Sequence, residues 1–512
     1  MAETPLVWMT SGFRGGPGKL RATCRRALMA LAMTVFVGGC EMINSSEQLL
    51  IKELAERHVN DHAADPSVKR RPVIVIPGIL GSRLKTADTG QVVWGQFGFG
   101  GVLWPSKEQT VIKTSVPINL NSSDDVIQDD LVVDGVVQKM PFYILPLMPF
   151  GIGVYHEMVS QLENLGYCKG QTCYSNASSN DRAPSSPWLV EFSYDWRLSN
   201  AHNAAELQEF IDQNALEIAK ERGLSEDESA TIDFDIVCHS MGCLVARYFL
   251  RYGNQALPDD GQSLPSLNWS GSKRVKNLVM VAPPNAGSLG AVQTLRRGLF
   301  VFGFGYSSSV LATMPSLYEL LPRRRHRSII DEEGRALDPL NITIWEDNEW
   351  GPFAPEEDMT LQILLPKVSD QQERLSLMKE QMKKHMNSAS QFQRAIDLDA
   401  DPPPGLNLWL FAGKSKDTPS RLRKDVKGEW NLGSEVLGDG VVLSESALMN
   451  DSFGSQDSTS NADGPIGWSG VIFLFSDHLD LAGNPEFIVN LDHILDANSG
   501  GIPSMKTIRE SP

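Results

Sequence analysis

Apolar residues in this chain fall in short bursts. Some are near-continuous runs, and others recur at helical spacing. Arg71-Pro-Val-Ile-Val-Ile76, Trp188-Leu-Val-Glu-Phe-Ser193, Phe234-Asp-Ile-Val-Cys238, Val275-Lys-Asn-Leu-Val-Met-Val281 and Leu406-Asn-Leu-Trp-Leu-Phe-Ala412 are runs of the first kind, each followed by a Gly-, Pro- or Ser-bearing turn. Runs of this length without polar alternation predict strands buried on both faces, as parallel sheets require. From Asn200 to Gly223 the period changes: Leu207, Phe210, Ile211, Ala215, Ile218 and Ala219 share one face, and Gly223 supplies a stop. Strands alternating with helices predict an α/β fold with a mostly parallel central sheet flanked by helices. In such sheets the carboxyl ends of the strands host the chemistry.

Two stretches interrupt the alternation. Residues 82–150 mix Gly, Trp and Asp turns, and residues 285–404 carry a helical pattern with Leu375, Met378 and Met382 on one side. Both read as insertions over the sheet, a lid (82–150) and a cap (285–404), and the Met stripe reads as core packing. The expected organisation is a signal segment over 1–39, a tether over 40–68 and a core over 69–284 that contains the lid. The cap follows, then a second part of the core over 405–498 and a tail over 499–512. Segments 141–153 and 299–306 hold more apolar side chains than loops need. They are expected either to touch a membrane surface or to lie beneath the cap.

The chain has 512 residues, 41% of them hydrophobic and 21% charged, with a formal net charge of −17. That length accommodates one large domain with insertions or two ordinary ones. Phosphate-backbone affinity needs clustered Lys and Arg, so the acidic balance argues against a nucleic-acid partner. At the start, Arg14, Lys19, Arg21, Arg25 and Arg26 precede an apolar run over 27–37, which is of signal-peptide length. Val37-Gly-Gly-Cys40 then resembles a bacterial lipobox, which would make Cys40 the lipid-bearing residue of an exported protein anchored to a bacterial membrane, on the periplasmic side or at the outer membrane. Cys168 and Cys173 are spaced for a loop disulfide in such a compartment. Cys238 and Cys243 are expected to be packed thiols. No Cys or His spacing suggests a structural zinc site, and no metal or organic cofactor is indicated.

The chemistry concentrates where Phe234-Asp-Ile-Val-Cys238 runs into His239-Ser-Met-Gly242 and then into the helical pattern Cys243-Leu-Val-Ala-Arg-Tyr-Phe-Leu250. A strand, a tight turn with a serine at its apex and a helix are the form of a nucleophile elbow; the alternative is an ordinary strand-to-helix turn with a buried serine. A serine hydroxyl needs a base, and the base needs a carboxylate to hold its tautomer. In the α/β-hydrolase order the acid and then the histidine follow the serine. Asp439, between two glycines, is the best acid. Of the late histidines, His478 stands in a loop after the apolar run Val471–Phe475, whereas His493 falls inside a helical pattern and reads as a surface residue. His239 is expected to brace the elbow or line the cleft. A tetrahedral oxyanion needs backbone N–H donors, and Met241 and Ile79 are the candidates, Ile79 from the Pro77-Gly-Ile-Leu-Gly81 turn.

These strings resemble the lecithin:cholesterol acyltransferase family, which includes phospholipid:diacylglycerol acyltransferases and a lysosomal phospholipase. The matching residues are Pro77-Gly-Ile-Leu-Gly-Ser-Arg-Leu84, Tyr194-Asp-Trp-Arg-Leu198, His239-Ser-Met-Gly-Cys-Leu244, Ala282-Pro-Pro-Asn-Ala-Gly-Ser288, Met314-Pro-Ser-Leu317, Leu320-Leu-Pro322, Gly438-Asp-Gly440 and His478. The sequence departs from the family's pattern in three places: Cys238 stands for the elbow's first glycine, Val441 for a frequent Thr, and Ala282-Pro-Pro-Asn for Gly-Ala-Pro-Trp-Gly. The resemblance implies an α/β-hydrolase core with a cap, a Ser240–Asp439–His478 triad, and acyl transfer from a membrane phospholipid or other glycerolipid to a sterol, diacylglycerol or water. Asp195 and Arg197 are expected to pair beside the pocket rim. The competing expectations are a carboxylesterase or lipase that uses water only, and a lipid-binding protein that keeps an inactive hydrolase fold.

Overall fold

A computed structural model of the chain describes residues 50, 52–61, 68–95, 112–120, 129–137, 152–169, 187–301, 304–450, 464–478 and 480–497. The expected signal segment, Cys40, and residues 141–151 of the expected membrane-contacting segment lie outside them. The chain divides into two compact units, residues 1–58 and 59–512. In the first, the described residues are helical. Among the described residues no helix is long and apolar enough to cross a membrane.

The second unit is built on a seven-stranded sheet in the order Gly470–Leu474, Asn407–Gly413, Val275–Val281, Phe234–His239, Val73–Ile76, Trp188–Glu191, Cys168–Lys169. Every neighbouring pair in it is parallel. The five runs predicted as strands are all in it, Val275–Val281 with the same ends and the others with one or both ends shifted by one or two residues. Phe234–His239, near the middle, is buried at every position, as is Val73–Ile76 beside it. Burial on both faces is what an unalternating apolar run can satisfy, at roughly 1.5–3 kcal/mol for each fully buried large aliphatic side chain.

The helix Asn200–Glu221 buries Leu207, Ile211, Ala215, Ile218 and Ala219. Its first turn is capped by the Ser199 hydroxyl, which accepts from the His202 N–H, and Gly223 beyond its end has φ +69°. In the expected lid, Ser82–Thr86, Val92–Trp94 and Leu131–Val136 form a small antiparallel sheet. In the expected cap, the helix Gln371–Ile396 buries Met378, Met382 and Met386, so the Met stripe is core. Within segment 299–306, Leu299–Val301 and Phe304–Tyr306 pair as antiparallel strands, and Tyr306 is buried and meets Trp94 edge-on at 6.0 Å. The hairpin Lys416–Lys424 and Trp430–Gly438, which the sequence reading missed, delivers Asp439 to the end of the sheet.

Candidate active site

Ser240 sits at φ +49°, in the left-handed region that a non-glycine residue enters at a cost, directly between the buried strand and the helix Gly242–Tyr252. The turn is held by the Ser240 N–H donating to the Val281 carbonyl at 2.9 Å and by the Cys243 N–H donating to the Ser240 carbonyl at 3.0 Å. Gly242 is required by close approach: a Cβ there would stand 2.3 Å from the Pro77 carbonyl oxygen. The elbow and the turn after the first strand are thus in backbone contact.

That turn holds the other expected oxyanion donor. Leu80 has φ +64°, and the Gly81 N–H closes the turn on the Gly78 carbonyl at 3.1 Å. Neither the Ile79 N–H nor the Met241 N–H donates to any other group among the described residues. Two side chains of the Tyr-Asp-Trp-Arg string brace the same segment. The Tyr194 hydroxyl donates to the Pro77 carbonyl at 2.9 Å, and the Trp196 indole N–H donates to the Ser82 carbonyl at 3.2 Å. Sequence reasoning had singled out only Asp195 and Arg197. Those two do pair, through Arg197 Nη2 and Asp195 Oδ2 at 2.6 Å, and Arg197 also reaches Asp129 at 2.5 Å. Arg197 is fully buried; its carboxylate neighbours raise its pKa further above the already high guanidinium value, more than offsetting the opposing effect of burial.

His478 Nδ1 lies 2.7 Å from Asp439 Oδ2, with both residues at least 98% buried. The carboxylate's other oxygen accepts the Val441 and Val442 N–H groups at 2.9 and 2.7 Å, and the His478 N–H donates to the Asp439 carbonyl at 2.8 Å. Gly440 at φ +94° turns the chain so that these amides point back at the carboxylate. Gly413 makes room: a Cβ on it would meet Asp439 Cβ at 2.5 Å. His478 Nε2 is buried and has no hydrogen-bond partner among the described residues; it is not bonded to the Ser240 hydroxyl. Its ring lies 5.0 Å, centroid to centroid, from that of His239, the residue preceding the serine. Asp439 and His478 are thus bonded to each other, the His478 ring packs against that of the residue next to Ser240, and His493 is exposed on the helix Pro485–Leu495.

One expectation is corrected. Cys238 and Cys243 are bridged by a disulfide, with Cα atoms 5.0 Å apart. The strand's end and the first helical turn fold back on each other around Ser240, which brings the two sulfurs into bonding range. Cys168 is also disulfide-bonded, and Cys173 lies outside the described residues.

Residues 150–324, which include the elbow strand, Ser240 and the Tyr-Asp-Trp-Arg string, match the family model of lecithin:cholesterol acyltransferase. No curated protein matches the sequence. Among solved structures, the chain is similar to one in the crystal structure of the Tle4-Tli4 complex, at 14% identity and TM-score 0.50, covering 84% of this chain and 100% of that one. It is also matched by EstA from Clostridium botulinum (11% identity, 84% and 88% coverage, TM-score 0.32) and lipase 1 from Pelosinus fermentans (13%, 84% and 99%, 0.30). The fold is that of the α/β-hydrolases. With the family match, it supports an enzyme that acts on acyl esters of lipids in general.

Proposed function

We propose that this chain is a serine-dependent acyl hydrolase or O-acyltransferase acting on glycerolipid esters through an acyl-Ser240 intermediate. The observation that carries this reading is the buried Asp439–His478 pair at 2.7 Å, whose imidazole packs 5.0 Å from the ring of His239, next in the chain to a serine held at φ +49°. Asp439 fixes the tautomer that leaves Nε2 free to accept a proton, and hydrogen bonds between base and nucleophile often tighten only when substrate is bound. The Ser240 oxygen attacks the ester carbonyl as its proton passes to His478 Nε2. The Ile79 and Met241 N–H groups receive the developing oxyanion. Collapse breaks the carbon–oxygen bond to the leaving alcohol, which takes the proton from Nε2. Water or an acceptor alcohol such as a sterol or diacylglycerol then gives its proton to the same nitrogen and removes the acyl group.

The substrate class rests on the family match over 150–324. For location, the lipobox-like Val37-Gly-Gly-Cys40 supports export and anchoring to a bacterial membrane surface, and the Cys238–Cys243 bridge favours an oxidising compartment. The test is labelling by a fluorophosphonate, followed by product analysis with labelled phosphatidylcholine in the presence and absence of a sterol or diacylglycerol. The wild type is expected to carry the adduct on Ser240, and Ser240→Ala is expected to lose turnover by on the order of 10⁶-fold. An unlabelled wild type, or an active Ser240→Ala, overturns the proposal and favours a lipid-binding protein.

A further inference from the structure

His239 was expected to brace the elbow or line the cleft, and the structure decides between the two. A bracing histidine spends its ring nitrogens on neighbouring backbone. His239 is 99% buried, and neither Nδ1 nor Nε2 has a hydrogen-bond partner among the described residues. A buried polar group left unpaired costs about 1–3 kcal/mol, so two on one ring require an explanation.

The ring's position supplies one. A Cβ placed on Gly78 would stand 3.0 Å from Ser240 Cβ and 3.1 Å from His239 Nδ1, so the imidazole and the nucleophile face the same side of the oxyanion turn. The ring also meets that of His478 at 5.0 Å, tilted by 54°. His239 thus stands between the turn that would hold the carbonyl oxygen and the imidazole that would hand a proton to the leaving oxygen. Burial first, and the neighbouring His478 second, push its pKa well below that of a free histidine, so at neutral pH the ring is uncharged. A neutral imidazole has one donor and one acceptor, which matches a hydroxyl group.

We propose that His239 is a catalytic residue that hydrogen-bonds the ester's alcohol oxygen, the atom that leaves during acylation and whose place the acceptor hydroxyl takes during deacylation. This rests on the acyl-serine reading above. In acylation the Ser240 oxygen–carbon bond forms, the carbon–alkoxy bond breaks, and the proton that left Ser240 reaches the alkoxy oxygen from His478 Nε2. His239 exchanges no proton. It holds that oxygen in line with Nε2 and stabilises the charge that builds on it before the proton arrives.

A leaving group that carries its own negative charge well does not need this contact, and that provides the test. His239→Phe keeps a flat ring and removes both nitrogens; His239→Gln returns a donor and an acceptor. Each is compared with wild type on a p-nitrophenyl ester, whose leaving group departs as a stable anion, and on phosphatidylcholine, whose leaving group is an alkoxide. The expected result for His239→Phe is a kcat loss of about 10- to 100-fold on phosphatidylcholine with less than about threefold on acylation by the aryl ester, measured in the pre-steady-state burst. His239→Gln is expected to recover part of the first loss, and fluorophosphonate labelling of Ser240 is expected to proceed near the wild-type rate in both variants. Equal losses on the two esters, or no loss on either, overturn the role of His239 and leave the acyl-serine reading intact. Absence of the Ser240 adduct in the wild type overturns that reading itself.

Discussion

The two halves of the proposed site are built on different principles. On the nucleophile side, Ser240, Gly242 and the Pro77–Gly81 turn are fixed by backbone approach: a strained φ at one residue and no room for a methyl group at another. On the base side, Asp439 and His478 stand 39 positions apart and are joined by a side-chain and a backbone hydrogen bond, while the Val441 and Val442 amides hold the other carboxylate oxygen. The first half is held by sterics and the second by electrostatics. Damage should therefore differ in kind: on the base side activity can fall while the fold survives, and on the nucleophile side the two are coupled.

The largest effect on activity with the fold left intact belongs to the base side. Asp439→Asn, with its single oxygen kept on the Val441 and Val442 amides, turns an N–H donor toward His478 Nδ1 in place of the acceptor. The tautomer with Nε2 free is lost, and kcat is expected to fall on the order of 10³–10⁴-fold. Thermal unfolding should change little, because the loop's backbone bonds remain. A variant that melts far below wild type would mean that this pair holds the fold as much as it serves the chemistry. The matched test is Gly242→Ala, whose Cβ would stand 2.3 Å from the Pro77 carbonyl oxygen. Forcing a methyl group into that contact is expected to cost about 1–3 kcal/mol or more in stability and to abolish turnover together with it. If Gly242→Ala unfolds like wild type in a denaturant series, the backbone contact is softer than the distances imply.

A smaller effect tests the bracing of the oxyanion turn. Tyr194→Phe removes the 2.9 Å bond to the Pro77 carbonyl without changing the packing of the ring. Its expected signature is a kcat loss of about 10-fold, with KM near wild type, because the turn's N–H matters most in the transition state. A rise in KM at constant kcat would place Tyr194 in substrate binding.

The same division governs what could be read from the residues. The nucleophile side is contiguous, a buried strand followed by His239-Ser-Met-Gly242, so strand, turn and helix were legible as one string. The base side was legible only through chain order, which singled out Asp439 and His478. The hairpin that carries Asp439 was missed because its strands, Lys416–Lys424 and Trp430–Gly438, are polar and partly exposed and lack a long apolar run. Tyr194 and Trp196 were overlooked because charge in Asp195 and Arg197 is conspicuous and a hydroxyl aimed at a carbonyl is not. The Cys238–Cys243 bridge escaped because a spacing of five along the chain does not show that the elbow folds its two ends together. The lack of partners for the His239 ring has no sequence signature.

The smallest effect lies at the opposite end of the elbow strand from Ser240, where Asp235 is fully buried beside Asn277 and the partly exposed Arg71. Burial raises its pKa from 3.8 to about 6; Arg71 and the Asn277 hydrogen bonds pull it down and only partly offset that. The folded state therefore binds this proton more tightly than the unfolded chain does. The resulting stability is full below pH 3.8 and is lost as pH rises through about 6. Asp235→Asn cannot titrate, so the difference in unfolding free energy between wild type and variant isolates the group. From pH 7.5 to pH 4.5 that difference should move in favour of the wild type by up to about 2 kcal/mol. The shift should appear in denaturant midpoints and leave the pH profile of ester hydrolysis unchanged, since Asp235 lies a strand's length from the pocket. A difference that stays flat with pH would mean that Arg71 and Asn277 compensate the burial in full. If it tracked the activity profile, the two ends of the strand would be coupled, and the separation between a steric elbow and an electrostatic base would have to be redrawn.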